Sequence, residues 1–339
     1  MKKALFVLLV SICLTGLLLA GTNVSLGKSY VISPDPAPNY SDPDGKKLTD
    51  GSANFSWGDM VGFQNLETNP VVTIDLGELY EEISFVTVDF MLSNPSGVHL
   101  PFGFIVSVSE DGELFEDLGM GTNYLGEVKS DSIVTMYCDL SEFPGYGQFV
   151  RIEFVPASSE WLMPCEISVF DGELPEDFEP VEKQISEDPE IISQGAPYML
   201  IPIPSESYPD EEDMTVTDGL ANYSWVDMIG FDNPEMNPTV IVDLGEPKMV
   251  EKVSADFMRS FASAVNLPQS LLIGISNDGE NYEMIGLATN FDPYPPENEK
   301  INKMYWEADQ PVEAQYVLVE IRPRGDAWTM LAEVTVYGK

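Results

Sequence analysis

One histidine, His99, and three cysteines are all that this 339-residue sequence sets against the commonest catalytic and metal-binding chemistries. Zinc sites draw on clusters of His and Cys, and nucleophilic triads draw on a positioned base beside Ser or Cys. Neither arrangement can be assembled from so few residues. Glycine-rich phosphate loops are missing, and no segment holds an amphipathic helical period for three turns. Positive charge is scarce as well: 16 basic residues face 57 acidic ones, for a net charge of -41. A field of that sign repels nucleic acid and anionic lipid headgroups, which makes both poor candidate partners, and it favours divalent cations. Most of the carboxylates are read as a solvated surface. The enzymatic route left open is a carboxylate pair acting as a glycosidase, and the sequence is read as non-catalytic.

Long apolar runs are confined to the N-terminus. Lys2 and Lys3 precede an apolar stretch over residues 4–14, and small and apolar residues close it as LLLAGT. This predicts a signal peptide over residues 1–21, cleaved after Ala20 or Gly21. The alternative is a single anchoring helix, against which stand the small-residue exit and the lack of a following basic stop. The mature chain is expected to be secreted, periplasmic or at the cell surface, with no membrane insertion once the signal is removed.

What is abundant is internal repetition. The segment LTDGSANFSWGDMVGFQNLETNPVVTIDLG (48–77) returns as VTDGLANYSWVDMIGFDNPEMNPTVIVDLG (216–245), identical at most positions and without a gap. With a one-residue slip the copies stay aligned through HLPFGFIVSVSEDGELFEDLGMGTN and NLPQSLLIGISNDGENYEMIGLATN, then through WLMPCEISVF and WTMLAEVTVY. Solenoid repeats run to about 50 residues at most, so a period this long marks two tandem domains, over residues 22–172 and 191–339. The acidic, proline-punctuated stretch between them, 173–190, reads as a linker.

Strands are expected at 71–76, 84–90, 104–109, 149–155 and 166–170, which are short and rich in β-branched and aromatic residues. Asp111-Gly112 and Asp278-Gly279 each join two such runs as a hairpin requires. The fold class is therefore all-β, a sandwich or jelly roll. Cys138 and Cys165 align with Trp306 and Ala332, so both are absent together from the second copy. An oxidising compartment permits a disulfide between them, and two buried thiols are the alternative.

The order of motifs resembles the discoidin-like domain, also called the coagulation factor type C domain, whose relatives include galactose-binding carbohydrate-binding modules. The order is TDG, a Trp, a strand ending DLG, a strand ending S-x-DG-x-x-aromatic, then aromatic-V-x-[IV]-E, and finally W-x-x-x-x-E-[IV]-x-V-aromatic. The resemblance covers nearly all of both copies and implies two tandem antiparallel jelly-roll β-sandwiches of the galactose-binding-like kind. It also implies a structural calcium ion in each, at Asp50, Ser56 and Glu166 in the first copy and at Asp218, Ser224 and Glu333 in the second. Calcium accepts six to eight oxygen ligands in flexible geometry. The other reading of these residues is that the aspartates shape a TDG turn and the glutamates face solvent or pair with a base.

Sugar-binding relatives use polar side chains just after the first Trp, an Arg after the third strand and an aromatic platform. A pyranose presents an apolar face for stacking and hydroxyls for paired hydrogen bonds. Asp227 and Arg259 match this pattern in the second copy. The first has Asp59 but Leu92 in place of the arginine, so the second domain is the better candidate. Phe63 and Phe231 are expected to be exposed, because polar and turn-forming residues follow each. Asn123 and Asn290 are candidate ligand contacts or turn closers. Trp57, Trp161, Trp225 and Trp328 are read as core. The expected function is non-catalytic recognition of carbohydrate on a polysaccharide or cell surface. The alternative is an envelope-structural protein or one that docks a protein partner.

Overall fold

The structure is a computed structural model that describes residues 21–65, 68–172, 178, 189–210, 214–232, 236–325 and 327–339. The expected signal peptide, apart from Gly21, lies outside the described residues, as does most of the expected linker. Among the described residues no helix is long and apolar enough to cross a membrane.

The first unit consists of β1 (Thr22–Asn23), β2 (Ser29–Ser33), β3 (Val71–Leu92), β4 (Gly103–Ser109), β5 (Glu116–Gly121), β6 (Asn123–Leu125), β7 (Ser132–Asp139), β8 (Gly145–Val155) and β9 (Pro164–Asp171). The second has β10 (Glu190–Ile191), β11 (Tyr198–Ile201), β12 (Ile229–Phe231), β13 (Thr239–Arg259), β14 (Ser270–Ser276), β15 (Glu283–Ala288), β16 (Asn290–Asp292), β17 (Lys300–Arg322) and β18 (Thr329–Gly338). The pairings among them are antiparallel, and each unit is an all-β jelly-roll sandwich.

The first two expected strands prove to be one. β3 runs through 22 residues, its first half lying between β2 and β8 and its second half between β7 and β9. Register breaks between Asp75 and Ile83 mark where it passes from one sheet to the other, as corner strands of sandwiches do. Before the corner, Val72, Ile74 and Leu76 alternate inward; beyond it, Val86, Val88 and Phe90 close the same core from the facing sheet. β13 repeats this path, and β17 fuses into one strand what β7 and β8 do in the first unit.

The expected disulfide is overturned. Cys138 stands opposite Val86 on one edge of β3, while Cys165 lies on the other edge, between residues opposite Asp89 and Phe90. Two strand spacings separate them laterally by roughly 10 Å before the offset along the strands is added, beyond the ~7 Å Cα reach of a disulfide. Both are free and buried, and burial pushes both thiols up. Trp57 is also not core, at 41% exposure. Trp161 packs edge-on against Tyr40, and Trp225 and Trp328 pack against Tyr208.

The two units pack together. Ile105, Val155 and Met120 of the first meet Leu272, Leu287 and Met284 of the second. Beside them Asp117 is buried, accepting hydrogen bonds from Ser107 Oγ and Ser270 Oγ, both at 2.7 Å. Its carboxylate lies 3.6 Å from Arg151 Nη2 and 3.4 Å from Arg322 Nε. Arg322 also reaches back across the interface to Glu153 at 2.8 Å.

Candidate functional site

The end of β13 gathers a cation, an exposed aromatic ring and a carboxylate. Arg259 closes the strand with its guanidinium 4.3 Å over the ring of Phe261, and its Nη1 donates to the Pro296 carbonyl at 2.8 Å. Its Nε is buried with no hydrogen-bond partner. Phe261 itself is 57% exposed, so one face of the ring braces the cation while the rest of it meets solvent. The hydroxyls of Ser260 and Tyr223 both donate to Glu299, and those bonds hold its carboxyl below the usual range. Tyr223 thereby ties the loop carrying Trp225 and Asp227 to the segment carrying Glu299. Asp227 is exposed on that loop, and Tyr294 stands out at 80% exposure.

The first unit keeps the scaffold of this corner and little of its chemistry. Leu92 takes the arginine position and is buried, and Asn94 takes that of Phe261. Ser93 donates to Asp131 at 2.6 Å, as Ser260 does to Glu299. Asp59 is exposed, beside Phe55 and Trp57 in the same loop. His99 contacts Glu160 at 2.5 Å; the second copy has Asn266 and Ala327 at these places.

Two expected contacts are not available to a ligand. Phe63 and Phe231 are 1% and 2% exposed and belong to the sandwich cores. Each pairs with the segment leading into the last strand, through Phe63 with Leu162 and Phe231 with Thr329, and that extended pairing turns the ring inward whatever polar residues follow. Asn123 and Asn290 are not at the Arg259 corner either. Both line a cavity of about 400 Å³ between the two units, where Asn123 Nδ2 donates to Asp309 Oδ2 at 3.2 Å. Sequence reasoning missed Tyr223, Phe261 and Glu299. The replacement of Asn94 by an aromatic two residues from the arginine was the signal that could have found Phe261.

Glu166 and Glu333 are neither exposed nor paired with a base. They are 3% and 4% exposed, and each accepts a backbone N–H from the TDG turn, Gly51 at 3.1 Å and Gly219 at 3.2 Å. The second oxygen of Glu166 is buried without a partner. Burial, with the charges of Asp50 and Asp218 adding to it, pushes both glutamates up to about 7. Asp218 lies within hydrogen-bonding reach of Glu333. Ser56 and Ser224 make their backbone bonds within their own turns, where their carbonyls accept from Asp59 and Asp227. Among the described residues no three His, Cys, Asp or Glu side chains are grouped to hold a metal. The second site thus offers a carboxylate pair and the first a buried glutamate that feels the charge of Asp50, and further oxygens must come from carbonyls and water.

Residues 204–334 match the family described as F5/8 type C domain. No curated protein matches the chain. Among solved structures the chain is similar to a fucolectin from striped bass (Morone saxatilis) serum, at 18% identity over 95% of this chain and 99% of that chain, with a TM-score of 0.34. It is also similar to the CBM32-1 and CBM32-2 domains of Clostridium perfringens ZmpB in complex with GalNAc, at 12% identity over 94% and 92% of the two chains, with a TM-score of 0.34.

Proposed function

With residues 204–334 matching the F5/8 type C domain family, we propose that the protein is a secreted, non-catalytic binding protein that recognises carbohydrate on a polysaccharide or cell surface through the Arg259 corner of its second domain. The observation that carries this reading is the exposed Phe261 ring braced on the Arg259 guanidinium. A planar cation donates paired hydrogen bonds to neighbouring hydroxyls, and an exposed aromatic face supplies the stacking surface that a pyranose needs. Tyr223 and Asp227 add an adjacent aromatic edge and an acceptor. A glycan array followed by calorimetry tests the proposal: the purified chain binds defined glycans and the Arg259→Ala variant loses them. An array without hits sinks it and leaves docking of a protein partner, a reading favoured by Val226, which projects from the same loop at 89% exposure.

Calcium is proposed as a structural ion in each domain, with Glu166 and Asp50 holding one and Glu333 and Asp218 the other. The support is the unpartnered buried oxygen of Glu166 and the close pairing of two carboxylates at Glu333, each of which a cation would satisfy. Bound there, the ion would let both members of a pair ionise together. Titration of calcium into the chelator-treated chain should give heat and a raised melting temperature, with one site lost in Glu166→Gln and the other in Glu333→Gln. Equal heats in the variants would remove the assignment.

A further inference from the structure

The packing between the two units has a quasi-two-fold arrangement that the sequence alignment makes visible. Ile105 aligns with Leu272 and Met120 with Leu287, and all four meet in one apolar cluster. On one flank Asp117 faces Arg322. Their aligned counterparts, Met284 and Val155, join the apolar cluster. Each domain therefore presents the same face to the other, as in an isologous dimer.

The cavity of about 400 Å³ lies across this arrangement, because its walls come in aligned pairs: Thr122 with Thr289, Asn123 with Asn290, Asp139 with Glu307. Other positions break the symmetry. Trp306 lines one wall and Cys138, a much smaller residue, lines the other. The indole lies against Gly286, where a Cβ would fall 1.9 Å from its Nε1, so it is seated by the absence of a side chain. Across from it Tyr137 stacks edge-on with Phe178 at 5.0 Å.

We propose that this cleft is a second binding site, for a pyranose that carries a free amino group. Its volume is in the range of small-ligand pockets, which favour domain interfaces. Trp306 supplies aromatic surface for the sugar face, and the paired threonines and asparagines supply amide and hydroxyl partners for its hydroxyls. The charged side chains lining the cleft are all acidic: Asp139, Glu142, Glu307 and Asp309. Lys252 just outside is already paired with Glu307 at 2.8 Å, and Asp139 accepts the Ser141 N–H at 2.9 Å. Glu142 and Asp309 stand on opposite domains, and the field of each reaches a tyrosine of the other, Glu142 acting on Tyr305 and Asp309 on Tyr137. An ammonium group in the cleft is attracted by both charges and by the ring of Trp306. This site is separate from the Arg259 corner and does not depend on it.

The test is calorimetric titration of the purified chain with a glucosamine tetramer, its N-acetylated counterpart and spermidine. The expected result is binding of the amino tetramer, with the N-acetylated tetramer about tenfold weaker or worse. Glu142→Gln and Asp309→Asn should each weaken the amino tetramer about fivefold. Glu142 is exposed and makes the fold-neutral control, should Asp309→Asn disturb its contact with Asn123. No heat with the amino tetramer overturns the proposal, and so does equal binding of the acetylated form. Unchanged affinity in both cleft variants would place the amine on the diffuse acidic surface, and loss in Arg259→Ala would place it at the other corner; either overturns the cleft site. Spermidine competing as well as the tetramer would reject the sugar part.

Discussion

The two domains keep the same corners and turns and differ in what those corners hold. Both have a glutamate at the head of the last strand bonded to the TDG turn, and both have an Asp-Gly hairpin whose aspartate accepts two backbone N–H groups. At the strand end, the second domain has Arg259 and Phe261 where the first has Leu92 and Asn94. At the contact between the domains, Asp117 and Arg322 replace an apolar pair on one flank only. Features retained in both copies are those that the sandwich needs to close, whereas the divergent positions add different chemistry to a fixed frame. Function is therefore sought in the differences.

The largest effect is expected from the contact between the domains. Asp117→Ala would remove the buried carboxylate shared by Arg151 and Arg322 and leave Glu153 as the remaining partner of Arg322, a loss of about 3 kcal/mol. Urea unfolding should then show the domains melting in separate steps, and a single unshifted transition would mean that they do not stabilise each other. Next comes the ligand corner. Arg259→Ala is expected to weaken glycan binding at least about tenfold, roughly 1.4 kcal/mol, while Leu92→Ala in the first domain leaves it unchanged. Equal losses in a calorimetric comparison would erase the distinction drawn between the copies.

A third expectation concerns acidity and applies to both domains alike. Each glutamate pushed from 4.5 up to about 7 retains a proton in the folded chain that the unfolded chain has released. Over that window stability falls as pH rises, and it is highest below the unfolded value. Burial raises Asp89 and Asp256 in the same direction. In chelator the melting temperature should be higher at pH ~5 than at pH ~7.5, and added calcium should raise it more at the higher pH. A melting temperature that climbs with pH in chelator would contradict the buried, protonated glutamates. The smallest effects are at the hairpins: Gly112→Ala and Gly279→Ala, at φ of +77° and +73°, should each cost about 1 kcal/mol in denaturant unfolding. A marked inequality would show that one hairpin carries strain that the other does not.

The strands were legible because alternation is a local property: 104–109, 149–155 and 166–170 fall within β4, β8 and β9. The continuity of β3 was not, since its corner, GELYEE, is polar and exposed and reads as a turn. Phe63 and Phe231 misled for a related reason, because facing is set by a pairing partner far along the chain, Leu162 or Thr329, and not by neighbours such as Gln64. That Arg259 stands at the end of a strand was legible from the motif order. Glu299 and Tyr223 were not, because the contact between them joins residues 76 apart. The association of the two domains had no local signal at all, since Ile105 and Leu272 alternate as any strand residues do.

That association carries a last consequence. A face that matches its own copy would, on separate chains, bring them together only as fast and as fully as their concentration allows. Joined in one polypeptide, the two faces meet at the high local concentration a tether imposes, so the pairing no longer depends on dilution. It is also self-terminating: each face is covered by its twin, and this contact leaves no complementary patch on which a third copy could add.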